Sequence, residues 1–89
     1  MITQLTDEEL QKFRDVSIYK ILGIHERGRR VSMRCPFPGH RDSSPSFALY
    51  PSNSYNCFGC GESGQGAIDF CESLGFSFQE SLTELIKYI

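Results

Sequence analysis

Two short stretches, Cys35-Pro36-Phe37-Pro38-Gly39-His40 and Cys57-Phe58-Gly59-Cys60-Gly61, constrain this 89-residue chain more than any other feature. Each places two soft metal ligands on one tight turn, so the chain entropy of bringing a pair together is already low. Zinc takes thiolate and imidazole ligands in a tetrahedron, and structural sites use four of them. Glycines after the second pair can adopt positive φ and bring backbone amides near the sulfurs. Residues 41–56 between the pairs are enough for a strand, a turn and a returning strand. Two knuckles joined by such a hairpin converge at one end of a sheet. The expected ligands of one structural Zn2+ are therefore Cys35, His40, Cys57 and Cys60.

Three alternatives compete for these residues. Cys71 offers an all-cysteine set in place of His40, although its neighbours Ile68, Phe70 and Leu74 suit a small apolar thiol packed inward. A Cys57-x-x-Cys60 dithiol catalyst would ordinarily open a helix, whose dipole lowers the attacking thiol's pKa. Here Gly61, Gly64 and Gly66 follow instead, with no surrounding βαβ pattern. Four cysteines also allow two disulfides, a framework proper to secreted chains. The start, Met1 to Glu9, has neither a basic n-region nor an apolar h-region, and no apolar run approaches a membrane span of roughly 20 residues. A cytoplasmic, reducing setting is expected, where the same cysteines point to metal. His25 has no ligand-like neighbour and reads as a solvated loop histidine.

Around the knuckles, local signals give an α+β order. Thr6-Asp7-Glu8-Glu9 has capping-box spacing and predicts a helix over about 7–14. Ser17 is placed to cap a second helix over 18–22 that Gly23 ends. Residues 30–34 alternate polar and apolar as a half-buried strand, residues 47–50 read as a second, and 51–54 as a turn. Residues 55–58 form a third, antiparallel strand, and Gly59 to Gly66 read as a loop. A helix over 67–74 with Gly75 at its end follows. Ser77-Phe78-Gln79-Glu80 is a second capping box, opening a helix to about Tyr88 with Leu82, Leu85, Ile86 and Ile89 on one apolar face. The fold class expected is a small α+β zinc ribbon, an antiparallel sheet with flanking short helices, as a single domain over 1–89. A chain this short has a marginal core and needs a staple. Structural zinc, with an apparent binding energy on the order of 10–16 kcal/mol, would supply it.

Net charge is −2, yet it is unevenly placed. Residues 27–41 hold five arginines (Arg27, Arg29, Arg30, Arg34, Arg41) and no acid, while residues 42–89 hold six acids and one lysine. A locally basic segment on an acidic chain can still bind an anion. Arg30, Ser32 and Arg34 share one strand face opposite Val31 and Met33, and Tyr55 on a neighbouring strand is a candidate for stacking a base. If five arginines each neutralise one phosphate, log K against log salt slopes by about −3.5 at most for single strands. Phe47, Phe58 and Phe70 read as core.

The runs Cys35-Pro36-Phe37, His40-Arg41-Asp42-Ser43-Ser44-Pro45-Ser46-Phe47 and Tyr55-Asn56-Cys57-Phe58-Gly59-Cys60-Gly61 resemble the N-terminal zinc-binding domain of bacterial and phage DNA primases. Val16 to Leu22, Ile68-Asp69-Phe70 and the last amphipathic helix fall where that family has such elements, so the likeness covers about residues 15–88. Pro38-Gly39 widens the usual Cys-Pro-x-His spacing, and a Pro-Gly turn can absorb the extra length. The resemblance implies the ligand set Cys35, His40, Cys57 and Cys60. It also implies a template-binding role for Arg34 and a module that binds single-stranded DNA template beside a primase catalytic domain in cis or trans. Roles for Arg29, Arg30, Arg41 and Tyr55 rest on charge and spacing alone. No Asp-x-Asp magnesium site and no nucleophile triad is apparent, so no polymerase activity is expected of this chain alone. A ribbon docking on a polymerase or helicase through its last helix is the competing expectation.

Overall fold

The computed structural model describes residues 5–26, 28–37 and 45–89. Its elements run α1 (Asp7–Arg14), α2 (Ile18–Leu22), β1 (Val31–Met33), β2 (Phe47–Leu49), β3 (Ser54–Cys57), β4 (Ser63–Gln65), α3 (Gly66–Ser73) and α4 (Phe78–Leu85). A 3-10 turn, Ile86–Tyr88, ends the chain. The strands form one antiparallel sheet in the order β1-β2-β3-β4. This is the expected α+β architecture with one strand more.

Both capping boxes close. Thr6 Oγ1 accepts from the Glu9 amide and Glu9 Oε1 from the Thr6 amide at 3.1 and 3.0 Å. Ser77 and Glu80 repeat the exchange at the start of α4. Helix α2 starts differently. Ser17 makes no side-chain cap bond. Asn53, from the β2–β3 turn, accepts the Ile18 amide on its Oδ1 at 2.9 Å and donates through Nδ2 to the carbonyls of Val16 (2.9 Å) and Arg14 (3.3 Å). Its backbone carbonyl takes the Gly66 amide. One turn residue thus ties the α1–α2 junction to the hairpin and to the start of α3.

The fourth strand lies in the run read as a loop. Ser63-Gly64-Gln65 has neither β-branched nor aromatic side chains, so no local signal marks it. Pairing with β3 and close approach make it a strand. A Cβ on Gly64 would stand 2.6 Å from Tyr55 Oη and 2.9 Å from Asp69 Cβ, so only glycine fits.

Two apolar clusters meet along α3. The first joins Ile18, Tyr19, Phe37, Phe47, Leu49, Tyr55, Cys57 and Phe70. Within it the rings of Phe37, Phe47, Tyr55 and Phe70 all contact one another, with centroids 5.5 to 6.2 Å apart. Such tilted and edge-on pairs each contribute about 0.5–1.5 kcal/mol beyond area burial. The second cluster packs Phe13, Val16, Ala67, Ile68, Cys71, Leu82 and Leu85 between α1, α3 and α4. The expected apolar face of the last helix is only half realised. Leu82 and Leu85 are buried, whereas Ile86 and Ile89 are exposed. The helix tightens to 3-10 at Ile86, which advances each side chain by about 120° rather than 100° and turns the stripe out of register.

Candidate metal centre and nucleic-acid interface

The sheet delivers three sulfurs to one end of the molecule. Cys35 lies two residues beyond β1, Cys57 is the last residue of β3, and Cys60 follows in the next turn. That turn is held from both sides. The Cys57 amide donates to the Glu62 carbonyl at 2.7 Å, and the Gly61 amide donates back to the Cys57 carbonyl at 2.8 Å. Gly61 takes φ 82°, a left-handed value that a side chain would oppose. On the other arm, Phe37 anchors its knuckle by inserting its ring into the aromatic cluster.

The Sγ atoms of Cys35, Cys57 and Cys60 lie within 4.8 Å of one another. Cys35 and Cys60 are 3.8 Å apart, far beyond the about 2.05 Å of a disulfide. A tetrahedron with Zn–S bonds of about 2.3 Å has edges of about 3.8 Å, so the pair is spaced as two corners of a zinc site. Cys57 is fully buried, Cys35 half-buried and Cys60 exposed, which leaves one side of the group open. Burial alone would push the Cys57 thiol up. Hydrogen bonds from the Cys60 amide, the Ser46 hydroxyl and the Cys60 and Cys35 thiols outweigh it and hold the group down at about 6. Cys35, by contrast, is pushed up to about 12, chiefly by burial. A metal ligand must be in the thiolate form, which these donors favour at Cys57.

His40, the expected fourth ligand, and Arg41 lie outside the described residues, as does Arg27. Cys71 does not join the sulfur group. It sits in the second core cluster, buried among apolar neighbours that push its thiol up to about 11. The dithiol-catalyst reading loses its basis too, since Cys57 ends a strand and the next helix begins only at Gly66.

Arg29, Arg30 and Arg34 are exposed on either side of β1, an edge strand, and among the described residues none is paired with an acid. Val31 and Met33 pack against the first cluster while Ser32 is exposed, as the alternation requires. Across the sheet Ser32 is in line with Ala48, Asn56 and Ser63, a row of short side chains. Two aromatic assignments are reversed. Tyr55 is 2% exposed, its ring inside the aromatic cluster and its hydroxyl 2.7 Å from Ser73 Oγ, so it offers no face to a base. Phe58, expected in the core, is 68% exposed. The signal was in the strand's alternation: Tyr55 shares parity with Cys57, whose sulfur must point to the buried ligand group. Asn56 and Phe58 therefore face the other way.

The sequence that carries these sulfurs has a counterpart among known families. The profile of the CHC2 zinc finger of DnaG matches residues 2–89. The chain belongs to this family. Among its relatives, the DNA primase of Halalkalibacterium halodurans is 38% identical over 92 residues, covering 97% of this chain and 14% of that protein. The DNA primase of Thermotoga maritima is 36% identical over 91 residues, with 98% and 16% covered. That of Chlamydia trachomatis is 33% identical, with 92% and 14% covered. The chain thus spans about one-seventh of the length of these relatives, and it is a zinc-finger domain of the DNA primase type. None of the CHC2 finger's described helices is long and apolar enough to cross a membrane.

Proposed function

We propose that this CHC2 domain holds one Zn2+ through Cys35, His40, Cys57 and Cys60 and presents a basic sheet edge to single-stranded DNA template. The domain, taken as 1–89, is non-catalytic alone and works in the cytoplasm with a primase catalytic domain in cis or trans, with a replicative helicase as a further candidate partner. Zinc bound there would supply no reaction step; it would lock two knuckles and so fix the strands between them.

The observation that carries this reading is the juxtaposition of the sulfur group with the exposed arginines flanking β1. Arg34 stands next to Cys35, so fixing the metal fixes the cation. Arg30 lies on the same strand face four residues away, about 13 Å along an extended chain. Ser32, between them on the edge strand, is exposed as well. Phosphate neutralisation by Arg29, Arg30 and Arg34 corresponds to a salt slope of about −2 for single strands, with Arg27 and Arg41 able to steepen it toward −3.5.

Fluorescence anisotropy of a labelled single strand tests the reading with the zinc-loaded chain. Binding that weakens with salt and disappears in the Arg30→Glu, Arg34→Glu double variant is expected. Absence of binding at any low salt would refute it. The exposure of Ile86 and Ile89 favours one second reading, a ribbon that docks on a replication protein through its last turn and touches no DNA.

A further inference from the structure

Among the described residues, Phe58 is the most exposed large hydrophobic side chain, and in sequence it lies between two of the expected metal ligands. Its mount is rigid. The Phe58 amide donates to the Ser46 carbonyl at 2.8 Å, Cys57 before it is buried, and the turn after it is closed by Gly61. A backbone held in this way adds little main-chain ordering cost when the ring meets a ligand. Exposed apolar surface usually matters when it forms a contiguous patch. Phe58 has none in its own turn: Gly59, Cys60, Gly61 and Glu62 are exposed but small or polar. Among the described residues, the other large exposed hydrophobics are Phe76, Phe78, Ile86 and Ile89, in the segment around α4. A single aromatic face exposed in a turn of small and polar residues suits one flat ligand better than a broad protein surface.

Register supplies the neighbour. Phe47 pairs with Cys57 and with Met33. The Phe58–Ser46 bond continues the β2–β3 ladder by one residue, and the same step on β1 reaches Arg34. If β1 keeps that register one residue past Met33, Phe58 and Arg34 are two strand spacings apart, about 10 Å. One nucleotide together with an extended arginine side chain spans that gap. By alternation both belong to the face that carries Ser32 and Asn56.

We propose that Phe58 is a base-stacking residue: one nucleobase of a single strand lies on its exposed ring beside the metal knuckle, and the adjoining phosphate is met by Arg34. This deepens the DNA-binding reading and rests on it. Stacking on an aromatic ring tolerates any base, so Phe58 supplies affinity and register rather than sequence choice.

The test uses the zinc-loaded chain and single strands carrying 2-aminopurine at successive positions. Phe58→Ala should weaken binding about tenfold or more, the scale of one lost base–aromatic contact. The zinc content and the salt slope should stay at parental values, because neither a ligand nor a phosphate contact is removed. Phe58→Trp should keep the parental affinity, and its indole, the sole tryptophan of the chain, should be quenched when the strand binds. Quenching of 2-aminopurine should be confined to one or two positions and lost in Phe58→Ala. Parental affinity in Phe58→Ala, or indole fluorescence of Phe58→Trp unchanged on binding, would overturn the stacking role while leaving DNA binding intact. Should Phe58→Ala fail to fold, the indole quenching in Phe58→Trp decides alone. If the parent chain binds no single strand, the DNA-binding reading falls and this one with it.

Discussion

Replacing Asn53 with alanine should destabilise the zinc-loaded domain by about 4 kcal/mol, although the residue is distant from the sulfurs. Asn53 sits at φ 67° and makes three side-chain hydrogen bonds that join Arg14, Val16 and Ile18 to the hairpin. At about 1 kcal/mol each, their loss amounts to about 3 kcal/mol, and the Ile18 amide is left without its acceptor at a residue that is itself fully buried. Alanine in the left-handed region adds about 1 kcal/mol, because its Cβ meets a strain that asparagine tolerates. The sum, about 4 kcal/mol, approaches the low end of domain stability, about 5 kcal/mol. In a domain of this size it lowers Tm by about 15–30 °C. Asn53→Gly separates the two parts: it accepts the backbone conformation and should lose only the hydrogen-bond share. Asn53 lies at the opposite end of β3 from Cys57, so zinc content should be unchanged in both variants. Thermal unfolding of the zinc-loaded proteins followed by circular dichroism is the assay. A loss of under about 1 kcal/mol in Asn53→Ala, or a glycine variant less stable than the alanine one, would refute the clamp.

Gly64→Ala should destabilise by about 1–3 kcal/mol in urea unfolding, because its Cβ would displace the Tyr55 ring on which β4 closes. Cys71→Ala should keep the full zinc content and lose about 1–2 kcal/mol of core packing, whereas Cys60→Ser should lose tight zinc binding; equal zinc loss in both would return Cys71 to the ligand set. Thr6→Ala, which removes a cap at α1, should cost about 1 kcal/mol in the same unfolding assay and leave single-strand binding unaltered.

The parts legible in the sequence were those written in local chemistry. Both capping boxes name their helices because donor and acceptor are three residues apart, and Gly23 ends α2 where a glycine was expected to stop it. The knuckle spacing placed Cys35, Cys57 and Cys60 together because each pair is local and the hairpin between them is short. What was missed is non-local. Strand β4 has no propensity of its own and exists because β3 and Tyr55 select it. The cap of α2 comes from Asn53, 35 residues away, where the adjacent Ser17 was the nearer candidate. Tyr55 and Phe58 were exchanged because aromatic character does not tell core from surface; strand parity relative to a ligand cysteine does. The apolar stripe of α4 ran past Leu85 on paper, since the switch to a tighter helix has no sequence mark as clear as a cap.

In the proposed function, a metal held by Cys35, Cys57 and Cys60 organises the sheet end that carries Arg34 and Phe58. Zinc analysis of the purified chain, paired with thiol alkylation before and after a strong chelator, tests it most directly. Bound zinc, with these three thiols slow to react until the chelator is added and sheet structure lost as they open, is the expected outcome. A zinc-free chain whose three thiols alkylate at once while the sheet persists would contradict it.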